Sequence, residues 1–148
     1  MTSGTTVRLD FHSSLEMLDC VQAVSDCIGR MSGFDDDSVH WVGVAVRESV
    51  INAITHGNCS DARKRVHVEF VALTEDGRPG VAVRVRDQGC GFDPLMLADP
   101  LAPENLLKTS GRGIFLMRSF MDEMTFERMA GGGMEVRMVK RTHQPTVA

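Results

Sequence analysis

The sequence lacks any apolar run that approaches the roughly 20 residues needed to cross a bilayer. Its first residues, MTSGTTVRLDF, also lack the charged-then-apolar pattern of a signal peptide. Positive charge is not in excess either, because 16 Lys and Arg against 20 Asp and Glu give a formal charge of -4. Nucleic-acid binding usually requires a basic face. We therefore expect a cytoplasmic protein with no direct contact to membrane or nucleic acid.

The four cysteines form no CxxC pair and have no histidine partner at zinc-ligand spacing, which argues against a structural metal. Cys20 and Cys27 are seven residues apart, so on a helix they share one face, where we expect reduced thiols packed as small apolar residues. With 148 residues, 43% of them hydrophobic, the chain suits one domain with its own core.

The first half of the chain has the periodicity of one strand and two helices. Apolar residues alternate over residues 7–11, which predicts a strand. Ser13 or Ser14 then caps a helix whose apolar residues (Leu15, Leu18, Val21, Val24 and Ile28) step by three and four, and this helix stops around Gly33. A second helix, capped by residues 35–37, ends near Gly57. Its apolar stripe consists of Val39, Val42, Val46, Val50, Ala53 and Ile54.

The second half is richer in strands. Large apolar residues occupy every second position over 66–70 and 81–85, and the turn residues 75–80 between them predict an antiparallel pair. Three prolines between residues 92 and 110 exclude one continuous helix and indicate a long loop. A core helix is predicted after Gly113. Two strands, Met124 to Met129 and Met134 to Arg141, are predicted to follow around a glycine-rich turn.

Three polar residues of the second helix share one face. Glu48, Asn52 and His56 follow each other at steps of four, offset from the apolar stripe. A solvated helix face is one interpretation. The small neighbours Ala45, Ser49 and Ala53 also leave room for a group to approach this stripe closely, so the pattern alone does not decide.

Asp87 is more informative because it keeps the parity of the alternating valines before it, which turns its carboxylate toward the buried face. A buried unpaired charge costs several kcal/mol, so this carboxylate needs partners. A basic residue, backbone amides or the amino group of a ligand such as adenine would each serve.

Two glycine pairs follow. Gly89 and Gly91 allow a sharp bend and a close approach of bare backbone to a ligand. Gly111 and Gly113 open a helix, where free N–H groups and the helix dipole favour phosphate. Taken separately, each pair is more often structural than phosphate-binding.

Together these residues resemble the three ordered boxes of the GHKL ATPases, the superfamily of gyrase and the histidine kinases. The boxes are Glu48-x-x-x-Asn52-Ala53, Asp87-x-Gly89-x-Gly91 and Gly111-x-Gly113. Within the superfamily, residues 47–58 and 111–117 are most similar to the anti-sigma factor serine kinases. The resemblance covers nearly the whole chain and implies a single ATP-binding domain over residues 1–148, with a lid at about 94–110.

The resemblance also implies the role of each site residue. Asn52 would hold Mg²⁺, Glu48 would act as general base, and Asp87 would bind adenine. The glycines, with Lys108 and Arg112, would contact the nucleotide. One departure is Met134, which stands after the last hairpin glycines where the family often has threonine, so the nucleotide would lose a hydrogen bond there. His56 would be a residue at the helix end near the pocket.

The implied fold is an α/β two-layer sandwich of the Bergerat type, a mixed, mostly antiparallel sheet with helices on one face. The implied function is a protein-serine kinase that binds a sigma factor and phosphorylates an anti-anti-sigma protein of the STAS type, with ATP and Mg²⁺, as a homodimer. The alternative is a binding module that uses ATP only to order its lid and sequester a partner. An ATPase fragment of a histidine kinase or repair protein is less favoured.

Overall fold

A computed structural model of the protein describes residues 2–89 and 117–142. The strands described there are β1 (Thr2–His12), β2 (Arg65–Glu75), β3 (Arg78–Arg86), β4 (Glu123–Arg128) and β5 (Met134–Arg141). The helices are α1 (Leu18–Met31) and α2 (Asp36–Asn52), and residues 117–120 are also helical. None of the helices in these ranges combines the length and the apolar character needed to cross a membrane.

The sheet has the strand order β1-β2-β3-β5-β4, and all of its described pairs are antiparallel. Hairpin β2–β3 is tighter than the sequence predicted, because Glu75 pairs with Arg78 and only two residues form the loop. Those residues, Asp76 and Gly77, have φ values of 53° and 74°. A two-residue loop with both φ positive matches the twist of the flanking strands.

Helices α1 and α2 pack against each other and on one face of this sheet. The apolar stripe predicted for α2 is buried throughout, from Val39 to Ile54. Every second residue of β2 and β3 meets it from the sheet: Val66, Val68, Phe70, Val81, Val83 and Val85 are each at most 1% exposed. The two periods, 3.6 and 2, thus produce the predicted α/β sandwich.

The first helix differs from its prediction at its start. Ser14 caps a short 3-10 turn, Leu15–Met17, and the α-helix begins only at Leu18. Leu15 is consequently 54% exposed instead of buried. The helix ends before Gly33, whose φ of +82° stops it as predicted.

The expectation for the cysteines was wrong in one respect. Cys20 and Cys27 do lie two turns apart on α1, and both are free thiols, but they are exposed and do not pack in the core. The core stripe of α1 is carried by Val21 and Ile28 instead. Cys90 lies outside the described residues.

Helix α2 begins where the sequence predicted, and the helical segment ends at Gly57 as predicted, although the α-helix itself stops at Asn52. The Asp35 carboxylate accepts a hydrogen bond from Ser38 N at 2.7 Å, as an N-cap does. At its other end α2 passes directly into a π-helical turn, Ala53–Gly57, closed by a bond from Asn58 N to Ala53 O at 2.8 Å. Such turns hold one extra residue and occur often at functional sites. Here the turn brings Gly57 against the end of β3.

Candidate functional site

Asp87 directly follows β3, and its side chain is on the helix side of the sheet, as the parity of the valines predicted. It is 2% exposed. Its Oδ1 accepts hydrogen bonds from the backbone amides of Gly89, at 3.0 Å, and Met134, at 3.2 Å. Backbone amides are therefore among the partners that the buried carboxylate requires.

Burial raises the pKa of the Asp87 carboxyl above its ordinary value. The two amide hydrogen bonds and the positive charge of Lys64 act in the opposite direction but do not cancel the effect of burial. Asp87 thus holds an ionisable group in a low-dielectric setting, which is a recurrent property of binding and catalytic sites.

Three glycines surround this carboxylate, and each has a neighbour where a side chain would stand. A Cβ on Gly57 would lie 2.1 Å from Asp87 Oδ2, and one on Gly133 would lie 2.1 Å from the Asp87 carbonyl oxygen. A Cβ on Gly89 would lie 1.5 Å from the Gly57 carbonyl oxygen. The α2 end, the β3 end and the β4–β5 hairpin can therefore meet around Asp87 only because all three positions are glycine.

Met134, the departure from the family pattern, contributes through its backbone. Its amide donates to Asp87 Oδ1 and its carbonyl accepts from Asp87 N at 3.0 Å. The Met134 side chain is 3% exposed and is therefore part of the protein interior.

Glu48 and Asn52 are half-buried on the helix that leads to Asp87. They are one turn apart, about 6 Å along the axis at 1.5 Å per residue. Asn52 is the last residue of α2, and the π-helical turn that follows ends at Gly57, against the Asp87 carboxylate. The sequence thus runs from Glu48 through Asn52 toward the carboxylate along one continuous helical segment. His56 is exposed within the π-helical turn, at the helix end as predicted.

The small residues beside Glu48 and Asn52 have another purpose than the one considered from the sequence. Ala45, Ser49 and Ala53 are at most 3% exposed and belong to the protein interior. The Ser49 hydroxyl contacts Met117 Sδ at 2.9 Å and Met138 Sδ at 3.4 Å. Core methionines, and not a ligand, therefore pack against these small residues of α2.

Five predicted nucleotide contacts, Gly91, Lys108, Gly111, Arg112 and Gly113, lie outside the described residues, and so does the predicted lid at 94–110. Residues 117–120, which follow Gly113, are helical as predicted. Phe120 stacks on Trp41 of α2, with ring centroids 4.1 Å apart and planes 13° apart. Together with the Met117 contact, this stack docks residues 117–120 on α2.

A cleft of about 710 Å³ lies mostly on the other face of the sheet. Asp87 is among its lining residues, but Glu48 and Asn52 are not, so it does not coincide with the predicted site. Its charged side chains alternate with the buried residues along the strands, so they point away from the helices. They largely neutralise one another: Arg8 contacts Glu69 at 2.9 Å and Arg86 contacts Glu135 at 2.5 Å.

Sequence reasoning missed the importance of Gly57, Asn58 and Gln88. Asn58 is fully buried, and its Oδ1 accepts a hydrogen bond from Gln88 N at 2.8 Å. A glycine and an asparagine at the end of a helix ordinarily indicate only its termination. No local pattern distinguishes them from residues that contact a strand end 30 positions later.

Comparisons with known proteins show which family and which relatives the chain resembles. Residues 11–140 match the sequence model of the histidine kinase-like ATPase domain. The chain is similar to the anti-sigma F factor of Clostridium beijerinckii, with 33% identity over 109 residues, 71% of this chain and 72% of the relative. It is 35% identical over 107 residues to the anti-sigma F factor of Clostridium acetobutylicum, 71% of each chain. The serine-protein kinase RsbW of Bacillus velezensis is 26% identical over 145 residues, 94% of this chain and 87% of the relative.

Proposed function

Because the chain belongs to the histidine kinase-like ATPase domain family, we propose that it binds Mg-ATP between α2 and the end of β3 and phosphorylates a serine of a partner protein. The observation that carries this proposal is the buried Asp87 carboxylate, enclosed by three glycines at the end of the helical segment that bears Glu48 and Asn52.

Asp87 would bind the adenine base. An ionised carboxylate is an acceptor for the exocyclic amino group, and an acceptor held by two backbone amides needs no reorganisation when the base arrives. Gly89 would contact the nucleotide by the family resemblance, although the space of its missing side chain is taken by the Gly57 carbonyl oxygen. By the family resemblance, Gly91, Gly111, Gly113, Lys108 and Arg112 would contact the nucleotide, and residues 94–110 would close over it.

Asn52 would hold Mg²⁺ through its amide oxygen. Mg²⁺ prefers oxygen ligands and usually takes only one or two from the protein, the rest coming from water and substrate phosphates. The described residues contain no group of three His, Cys, Asp or Glu side chains that could hold a metal alone. A single amide oxygen on α2 fits an ion that arrives with the nucleotide.

Glu48 would act as the general base. The serine oxygen forms a bond to the γ-phosphorus, the bond from that phosphorus to the bridging oxygen of ADP breaks, and the serine proton passes to the Glu48 carboxylate. When bound, Mg-ATP supplies the phosphoryl group. Glu48 lies one turn before Asn52, so the base and the metal ligand share one helix face.

The partners would be a sigma factor and an STAS-type anti-anti-sigma protein, and the protein would act in the cytoplasm as a homodimer. The names of the relatives, anti-sigma F factor and serine-protein kinase, support the sigma-factor partner and the kinase activity, while the STAS-type antagonist, the cytoplasm and the homodimer rest on the family resemblance. A phosphoserine carries nearly two negative charges, enough to disrupt a docking surface by repulsion and desolvation. The phosphorylated antagonist would therefore be released and the sigma factor recaptured.

The test is phosphotransfer from labelled Mg-ATP to the proteins encoded beside this gene, among which the substrate would be an STAS-type protein. Wild-type protein is expected to give phosphoserine. Glu48→Gln is expected to bind ATP normally but to transfer phosphate about 10² to 10⁴ times more slowly, the usual contribution of a general base. Arg47→Gln, at the next and exposed position, is the control. ATP-dependent association without any phosphorylated product would instead favour the alternative, an ATP-gated binding module.

A further inference from the structure

Asn58 joins three separate parts of the chain around the end of β3. Its side chain is fully buried. Its Nδ2 donates to Ser13 Oγ at 2.8 Å and to the Arg65 carbonyl oxygen at 3.0 Å, and its Oδ1 accepts from Gln88 N at 2.8 Å. One amide group thus connects the segment after β1, the start of β2 and the residue after Asp87.

Gln88 completes a ring with Asn58 and Arg65. The Gln88 side-chain oxygen accepts from Arg65 N at 2.7 Å, while the Arg65 carbonyl accepts from Asn58. The regular pairing of β2 with β3 begins at His67 opposite Arg86, two residues further along. The N–H and the C=O of Arg65 are therefore both hydrogen-bonded by side chains at a position that the β2–β3 pairing does not reach.

This ring fixes Asp87 from the side opposite β5. On the β5 side, Asp87 N donates to the Met134 carbonyl. On the other side, the next amide in the chain is held by Asn58. Gly57, which faces Asp87 Oδ2, directly precedes Asn58, so a shift of Asn58 also shifts the glycine that faces the carboxylate.

We propose that Asn58, through Gln88, is the positioning residue that sets the Asp87 carboxylate for adenine and so determines the preference of the site for an amino-purine nucleotide. The inference rests on the proposed function, in which Asp87 binds the adenine amino group. Asn58 itself does not touch the base.

The experiment measures dissociation constants for Mg-ATP and for Mg-inosine triphosphate, in which a carbonyl replaces the 6-amino group. A hydrogen bond to a charged group should make wild type prefer ATP roughly tenfold or more. In Asn58→Ala the two affinities are expected to differ by no more than about twofold, because the Gln88 amide that follows Asp87 loses its hydrogen-bond acceptor. Gln88→Ala, at an exposed position, keeps the bond from Gln88 N to Asn58 but opens the ring by removing the acceptor of Arg65 N, so it is expected to reduce the preference by less, about threefold, the effect of one ordinary hydrogen bond.

Ser13→Ala is the matched control. It removes one acceptor of the Asn58 amide but leaves all three bonds of the ring among Asn58, Arg65 and Gln88, so its urea midpoint should fall while its preference for ATP stays at the wild-type value. If Asn58→Ala does not fold, Gln88→Ala and Ser13→Ala still decide, because the proposal requires that they differ.

The outcomes separate two failures. A wild-type protein that binds both nucleotides equally shows that Asp87 does not read the amino group, and the proposed function loses its adenine contact. A wild type that prefers ATP, with Asn58→Ala and Gln88→Ala keeping that full preference, overturns the positioning role alone. A purely structural Asn58 would weaken both nucleotides by the same factor.

Discussion

The α-carbon of Gly57 faces the Asp87 carboxylate so closely that a Cβ at position 57 would lie 2.1 Å from Oδ2 and 2.4 Å from Cγ. Asp87 cannot simply turn away, because its Oδ1 is held by the amides of Gly89 and Met134. The end of the π-helical turn and the end of β3 are therefore matched to each other, and the candidate binding carboxylate depends on a glycine of another element.

Gly57→Ala should destabilise the protein by about 1–3 kcal/mol, the usual cost of inserting a group into a packed interior. Urea unfolding followed by circular dichroism measures the change. Gly131→Ala is the control, because a Cβ at Gly131 would have no described neighbour within 4 Å, and it should stay within about 0.5 kcal/mol of wild type. Equal midpoints for the two variants would contradict the close approach of Gly57 to Asp87.

Asp87→Asn should gain stability relative to wild type as the pH rises. Burial raises the pKa of the folded carboxyl above its ordinary value, so between those two pKa values the folded state binds more protons than the unfolded state. Wild-type stability therefore falls as pH increases through that window. Asparagine keeps an oxygen for the Gly89 and Met134 amides and does not titrate.

The measurement is the free energy of unfolding of wild type and Asp87→Asn at a series of pH values from 3 upward. Asp76→Asn makes the same chemical change in the exposed β2–β3 turn, where asparagine is equally suited, and controls for the loss of one charge. The explanation fails if Asp87→Asn instead becomes less stable than wild type as pH rises. In the proposed site the same variant should bind ATP weakly, so that function and stability oppose each other here.

Asn52→Ala should weaken ATP binding only when Mg²⁺ is present. The affinity should fall at least about tenfold, since even a residue that only hydrogen-bonds to a metal ligand usually contributes that much. Alanine is a good helix former, so α2 should remain intact. Titrations with ATP in Mg²⁺ and in EDTA measure the two affinities, and Asn52→Asp, which keeps an oxygen, is the conservative control. An equal loss in both buffers would remove Asn52 from the metal site.

Much of this arrangement follows from local periodicity. The α2 stripe and the alternating valines of β3 fix which side chains are buried, and the inward turn of Asp87 follows from the same parity. Periodicity does not determine which of two buried flanks a small residue occupies. The sequence pattern therefore places Ser49 beside the polar stripe, whereas in the structure its hydroxyl contacts Met117 and Met138.

The part of the site that could not be predicted depends on contacts between distant residues. The facing of Gly57 and Asp87 and the bond from Gln88 to Asn58 each join positions 30 residues apart. Glycine and asparagine at a helix end have the same local signal whether or not a strand end packs on them. The prediction that Leu15 is buried on the first helix was also wrong. Residues 15–17 form a 3-10 turn, where the apolar spacing alone predicts α-helix.

Phe120→Ala should change the fluorescence of Trp41, the single tryptophan of the chain, because the Phe120 ring covers one face of an indole that is 39% exposed even with this stack in place. We expect emission at longer wavelength and a loss of at least about 0.5–1.5 kcal/mol, the range for an aromatic pair beyond its buried area. Met121→Leu, a volume-conserving change at the neighbouring buried position, should leave the emission unchanged. If both variants keep the wild-type spectrum, Phe120 does not stack on Trp41, and residues 117–120 are not docked on α2.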